Sequence, residues 1–152
     1  MTTSESVYDA AGGDVGLLRL AQAWHERVLA DPIVSHAFEH GFHPDHSQRL
    51  ATYWAEVLGG PTRFTQTISD EATVVRLHSG EGDHAEMDAR AVACFEAALT
   101  DVGIDDDPLH GTLTAYFTWA TEQMSRYPRS ADDVPAGLPI PHWSWNGPQE
   151  SG

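Results

Sequence analysis

The sequence has no lysine and only one cysteine, Cys94, in 152 residues. Its cations are eight arginines set against 23 carboxylates, for a formal net charge of −15. The arginines form no basic stripe, so neither a nucleic-acid backbone nor an anionic membrane surface meets the cationic face it needs. A single cysteine excludes an internal disulfide and fits a reducing compartment. The helical setting of Cys94 marks it as a small core residue rather than a reactive thiol. No apolar run approaches the roughly 20 residues of a membrane span. The N-terminus lacks the basic patch and apolar stretch of a secretory signal. A cytoplasmic, soluble protein is expected. Several chemical fingerprints are missing as well. There is no Gly-x-Ser-x-Gly, no Cys-x-x-Cys and no dinucleotide motif, and Gly80-Glu81-Gly82 lacks the lysine and preceding strand of a phosphate loop.

What is present is a chain long enough for one domain with a real core and an internal pocket. Apolar residues make up 41%, and nine histidines and five tryptophans stand out at this length. Residues 1–7 are polar and expected to fray. Asp14 reads as a cap for a helix whose stripe is Leu17, Leu18, Ala21, Trp24 and Val28, with His25 sharing much of that face. Asp31-Pro32 closes it. A histidine-rich corner follows (His36, His40, His43, His46), and Pro44-Asp45 turns into a second helix carrying His46, Leu50, Tyr53, Trp54 and Val57. Gly59-Gly60-Pro61 ends that helix.

Residues 62–69 read as a loop anchored by Phe64. Ser69 is a candidate cap for a short apolar segment, Val74, Val75 and Leu77, that leads to His78. Asp83 with Glu86 resembles a capping box that starts a helix at His84, with Met87, Ala91, Cys94, Phe95, Ala98 and Val102 inward and Gly103 as its stop. Asp107-Pro108 opens a last helix, with Leu109, Leu113, Tyr116, Phe117, Ala120 and Met124 as its inner face. No strand-like alternation appears, so the expected class is all-α. A body of residues 1–127 is followed by a Pro/Gly/Trp-containing tail, 128–152. Trp143 and Trp145 in that tail argue that part of it docks on the body.

Taken together, these segments resemble the truncated haemoglobins, group II in particular. The resemblance is carried by Tyr8-Asp9-Ala10-Ala11-Gly12-Gly13, by Trp24 to Pro32 against the family's Phe-Tyr-x-x-Val-x-x-Asp-Pro, and by Arg49-Leu50 through Gly59-Gly60-Pro61. Val74-Val75-Arg76-Leu77-His78 lies where the family has Leu-Arg-x-Arg-His. The likeness covers residues 8 to about 127 and implies a two-over-two helical sandwich with short connecting helices. The departures are specific. His25 stands where the family usually has a distal tyrosine, His46 where many members have a small residue, and Ala91 where a tryptophan is usual. Leu77 replaces an arginine, and a polar Gly-Glu-Gly-Asp loop follows His78.

The resemblance implies haem b, with His78 as the proximal iron ligand and His84 as its rival. It implies His25 and His46 on the distal side, as hydrogen-bonding groups, proton relays or a sixth ligand. Phe38, Leu50, Tyr53, Trp54, Ala91 and Phe95 would line the porphyrin, and Arg76, or else Arg49 or Arg63, would pair with its propionates. The expected work is binding of dioxygen or another diatomic ligand, with redox chemistry on nitric oxide or peroxide, as in a dioxygenase or peroxidase, and a redox partner as an option. Two other classes stay open. One is a haem enzyme acting on an organic substrate, with Trp143 and Trp145 shaping its pocket. The other is a haem-less globin-fold interaction module. The spacing of four, three and three along His36, His40, His43 and His46 could also suggest a zinc or nickel site, although it lacks a carboxylate or thiolate at firm ligand spacing.

Overall fold

The computed structural model describes residues 5–35, 44–80 and 85–149. The described residues form seven α-helices: α1 (Val7–Ala10), α2 (Gly13–Ala30), α3 (His46–Val57), α4 (Arg63–Thr67), α5 (Glu71–Leu77), α6 (Ala85–Asp101) and α7 (Leu109–Met124). Helix α2 packs against α3 and crosses α6, and α6 packs against α7, giving two layers of two long helices. No helix among the described residues is long and apolar enough to cross a membrane.

The apolar stripes meet in an aromatic centre. Phe95 of α6 stacks on Phe117 of α7, with centroids 4.3 Å apart and planes at 11°. Trp54 of α3 meets Phe95 edge-on at 5.6 Å, and Trp24 of α2 approaches Phe117 at 5.6 Å. Large rings bury much area each, and offset or edge contacts suit their quadrupoles, so four rings from four helices fix the layer spacing. The Trp24 indole N–H donates to the Ala91 carbonyl at 3.1 Å and pins α2 to α6.

The connections depart from the sequence reading in five places. The N-terminal segment is ordered from Glu5: Ser6 caps α1, Val7 is buried, and the Tyr8 N–H donates to Leu58 O at 3.0 Å. A Cβ on Gly60 would lie 2.6 Å from the Tyr8 ring, so only glycine lets α1 close over the end of α3. Gly12, not Asp14, caps α2; Asp14 instead accepts hydrogen bonds from Tyr8 Oη (2.8 Å) and Arg63 (2.6 Å). Residues 63–67 are helical because the buried Glu56 carboxylate accepts the Thr65 N–H and hydroxyl, satisfying a first-turn donor. Asp70, not Ser69, caps α5 through Thr73 N, and Leu77 is 76% exposed rather than part of an apolar face. The fifth departure is a two-stranded antiparallel hairpin in the tail, β1 (His142–Ser144) and β2 (Gly147–Gln149). The capping box proposed at Asp83 lies outside the described residues.

The hairpin packs on α7. Trp143 is 8% exposed between Tyr116 (5.7 Å) and Trp119 (5.4 Å), and its indole N–H donates to Thr112 Oγ1 at 3.3 Å. The Trp145 indole N–H donates to Glu5 O at 2.7 Å, so the end of the described chain holds its beginning. Truncation of a ring this buried is expected to destabilise the fold by about 3 kcal/mol. Trp143→Ala should therefore show a lower urea midpoint at unchanged slope, and a loss below about 1 kcal/mol would mean that the tail adds no stability.

Candidate functional site

Helix α5 is two turns long and is held at both ends. The Asp70 carboxylate accepts Thr73 N–H at 2.8 Å, and this bond, first among the causes, holds the carboxyl below its usual range. At the other end Ser79 Oγ donates to Val75 O at 2.6 Å, and Gly80 N–H donates to Tyr127 O at 2.9 Å. Between these anchors His78 forms the C-cap, with an exposed ring. Its Nδ1 lies 2.8 Å from Val74 O. A carbonyl only accepts, so that bond puts the ring proton on Nδ1 and the lone pair on Nε2. This is the tautomer an imidazole needs in order to bind a metal through Nε2, with the ring oriented by a second partner. Arg76, one residue earlier on the last turn of α5, is exposed.

On the other long helices the structure brings two imidazoles together. His25 of α2 and His46, the first residue of α3, have ring centroids 5.0 Å apart at 45°. Both residues are half-buried, and the Nδ1 atom of each is sealed from solvent. Burial pushes His25 below the usual imidazole range, and the nearby Glu26 offsets this only in part. His25 is thus held neutral near pH 7, able to donate from one nitrogen and accept at the other. Leu50 follows His46 by one turn on the same helix face and is half-buried.

The remaining candidates divide. Trp54 and Phe95 sit in the aromatic centre, and Ala91 contributes the carbonyl that holds Trp24. Tyr53 is buried edge-on to Phe64 at 5.1 Å, and its hydroxyl donates to Glu71 Oε1 at 2.7 Å. Of the other arginines considered, Arg63 is paired with Asp14, whereas Arg49 is exposed. Phe38, His84 and the histidines at 36, 40 and 43 lie outside the described residues. Among those described, no group of three or more His, Cys, Asp or Glu is placed to hold a metal ion. Cys94 is buried, and burial pushes its thiol up.

Glu71 is the residue that the sequence did not announce. It reads as an ordinary first-turn acid behind Asp70, a place where acids favour the helix dipole. Only the tertiary packing puts it beneath Tyr53, with 5% exposure. Burial drives its carboxyl up to about 7, while the Tyr53 hydrogen bond and the Arg126 charge act in the opposite direction. The Tyr53 and Tyr116 phenols are raised in turn, chiefly by burial.

A carboxyl raised in the folded state binds more protons there than in the unfolded chain, so stability falls as pH rises from about 4.5 to about 7. The penalty is complete above that window. Glu71→Gln, which keeps an acceptor for Tyr53, should stabilise the protein at pH 8 by at most about 3 kcal/mol and change little at pH 4.5. Urea titrations at the two pH values read the difference, and an equal effect at both would remove the buried charge as its cause.

With this geometry in view, the comparisons with known proteins are consistent with one another. The bacterial-like globin family matches residues 6–124. The group II truncated haemoglobin of Bacillus anthracis is similar in structure, with a TM-score of 0.73 at 16% identity over 84% of this chain and 95% of that one. The thermostable haemoglobin of Thermobifida fusca gives 0.67 at 23% identity, over 88% of this chain and 100% of its own. The haemoglobin of Chloroflexus aurantiacus gives 0.69 at 20% identity, over 81% and 99%. No curated protein matches the sequence. With its long helices in two layers of two and a family match across four-fifths of its length, the chain belongs to the bacterial-like globins and has the truncated-haemoglobin fold.

Proposed function

We propose that this globin binds one haem b and takes a diatomic ligand at the iron; His78 would hold the iron, and His25 and His46 would face the ligand. The observation that carries the reading is the His78 Nδ1 bond to Val74 O, which fixes ring and tautomer for ligation through Nε2. The chemistry of the donor set fits the group: a neutral imidazole on a short, doubly anchored helix, and a second pair of imidazoles grouped on α2 and α3. When bound, haem supplies an iron centre that coordinates dioxygen, nitric oxide or peroxide reversibly.

The chain's own residues do the rest. His78 would hold the iron through Nε2, with its ring oriented by the Val74 carbonyl. Arg76 offers a cation to a propionate on a protein otherwise rich in carboxylates. Leu50, Trp54 and Phe95 keep water from the apolar side of the group. The His25 and His46 imidazoles would present N–H donors to a polarised ligand, and an imidazole can take up a proton at one nitrogen while releasing one from the other. Peroxide turnover or nitric oxide oxidation would draw on that second property. Phe38 is assigned to the porphyrin face on the strength of the family resemblance alone. A redox partner, as an option, and a cytoplasmic setting belong to the same reading.

The purified full-length chain should show a strong absorption band near about 400 nm, and His78→Ala should lose it or lose most of the cofactor. If His84→Ala loses the band and His78→Ala keeps it, the axial role belongs to His84. A colourless protein after reconstitution would end the proposal. For the opposite side, hydrogen bonds to a charged acceptor contribute about 1.5–3 kcal/mol, so His25→Leu or His46→Leu should raise the dioxygen dissociation rate by about 10- to 100-fold. Stopped-flow measurement decides this, and six-coordinate visible bands that vanish in one variant would make that histidine a sixth ligand.

A further inference from the structure

A half-enclosed cavity of about 200 Å³ lies between the start of α5, the C-terminal half of α7 and the tail. A single water needs only about 10–15 Å³ of such space, so the volume suits a small organic molecule. Most of the wall, from Arg126 to Gln149, comes from beyond residue 124, where the family match ends. The cavity is this chain's own addition to the globin body.

Its two charged groups have opposite sign. Glu71, a residue 5% exposed, is part of the wall, and its Oε1 accepts a hydrogen bond from Tyr53 at 2.7 Å. A buried carboxylate favours a cationic partner strongly. Arg126 supplies a guanidinium whose Nε donates to Gln123 O at 3.0 Å and whose face lies 5.5 Å from the Tyr127 ring; it forms no salt bridge among the described residues. Such a fork suits the two oxygens of a carboxylate. Trp119, Leu138 and Ile140 provide apolar wall in the same cavity. A simple anion would face Glu71 and the overall charge of −15, and a simple amine would face Arg126. A molecule carrying both charges meets neither objection.

We propose that this cavity binds a small zwitterion of the α-amino acid class, with its ammonium on Glu71, its carboxylate on Arg126 and its side chain against Trp119 and Ile140. The site does not depend on the iron-binding reading. The groups facing Glu71 are Tyr53 from α3, Tyr116 from α7, Arg126 just past the end of α7 and Asp70, the cap of its own helix, with His142 also in the cavity wall. An ammonium that docks on a carboxyl titrating near 7 displaces its proton, so affinity rises with pH across that value.

Isothermal titration of the full-length chain with glycine, L-leucine and L-phenylalanine, and with isovalerate and isoamylamine as half-molecules, tests the assignment. At least one amino acid should bind saturably with a Kd of about 1 mM or tighter. It should bind better at pH 8 than at pH 6, and the half-molecules at least about tenfold more weakly. Glu71→Gln should weaken it by at least about tenfold. Arg126→Gln, with its exposed head group, should weaken it about threefold. Both variants are first checked for native circular dichroism; Arg126 is exposed, so its variant tests the site even if Glu71→Gln alters the fold. No saturable heat from any amino acid overturns the proposal, as do equal binding of a half-molecule or unchanged affinity in Arg126→Gln.

Discussion

The seating of one half-buried indole organises the rest. Trp24 enters the aromatic centre against Trp54 and Phe117, and its N–H is consumed by the Ala91 carbonyl. An indole turned inward without that acceptor would forfeit a hydrogen bond, at a cost of about 1 kcal/mol. Two requirements, apolar packing and one directed bond, fix the rotation of α2 about its axis. Consecutive residues on a helix are about 100° apart, so the rotation that buries Trp24 turns His25 toward the start of α3, where His46 waits. The imidazole pair is thus a by-product of core packing, placed by a residue that takes no part in its chemistry.

A second dependency runs through the short helix. Seven residues cannot sustain an isolated helix in water, so α5 persists only through what grips it. Asp70 caps its start, Ser79 and Gly80 tie down its end, and Ala72 and Val75 bury against Val134, with Tyr127 and Leu138 alongside. Several of these partners lie past the last long helix. The tail therefore serves as the floor under the helix that carries His78, besides sealing α7 through Trp143. A globin body stopping at Met124 would leave Val75 facing water.

The long helices were legible because each repeats its apolar residues at the helical period, and α2, α3 and α6 end beside a proline or glycine that forbids continuation. Gly59 and Gly103, both at positive φ, are where such stops were expected. What escaped had no period to show. Helix α4 has five residues and takes its first-turn partner from Glu56, on another helix. The hairpin strands have three residues each, too few for alternation to register, and one contains Pro148. The histidines were identifiable by type, and the side chain at 78 could be singled out by position. That His25 and His46 lie within 5.0 Å is a tertiary fact, because it depends on how α2 is rotated. Glu71 was invisible for the opposite reason: in a first turn, an acid needs no further explanation.

That acid also shows where this chain departs from a minimal globin. A carboxyl placed under Tyr53, with burial as the dominant influence on its proton, is a standing cost to the fold at neutral pH. Tyr53 offsets part of it through one short hydrogen bond, and the more distant Arg126 adds a smaller attraction. A leucine at 71 would be cheaper by any packing argument, since its neighbours Ala72 and Val75 are already apolar. The polar side chain satisfies the buried Tyr53 hydroxyl, and the zwitterion site proposed for the cavity gives its carboxyl a second use. The geometry puts that cavity at one end of α5 and His78 at the other, so any occupant that drew Glu71 would pull on the same two turns of helix that orient the imidazole.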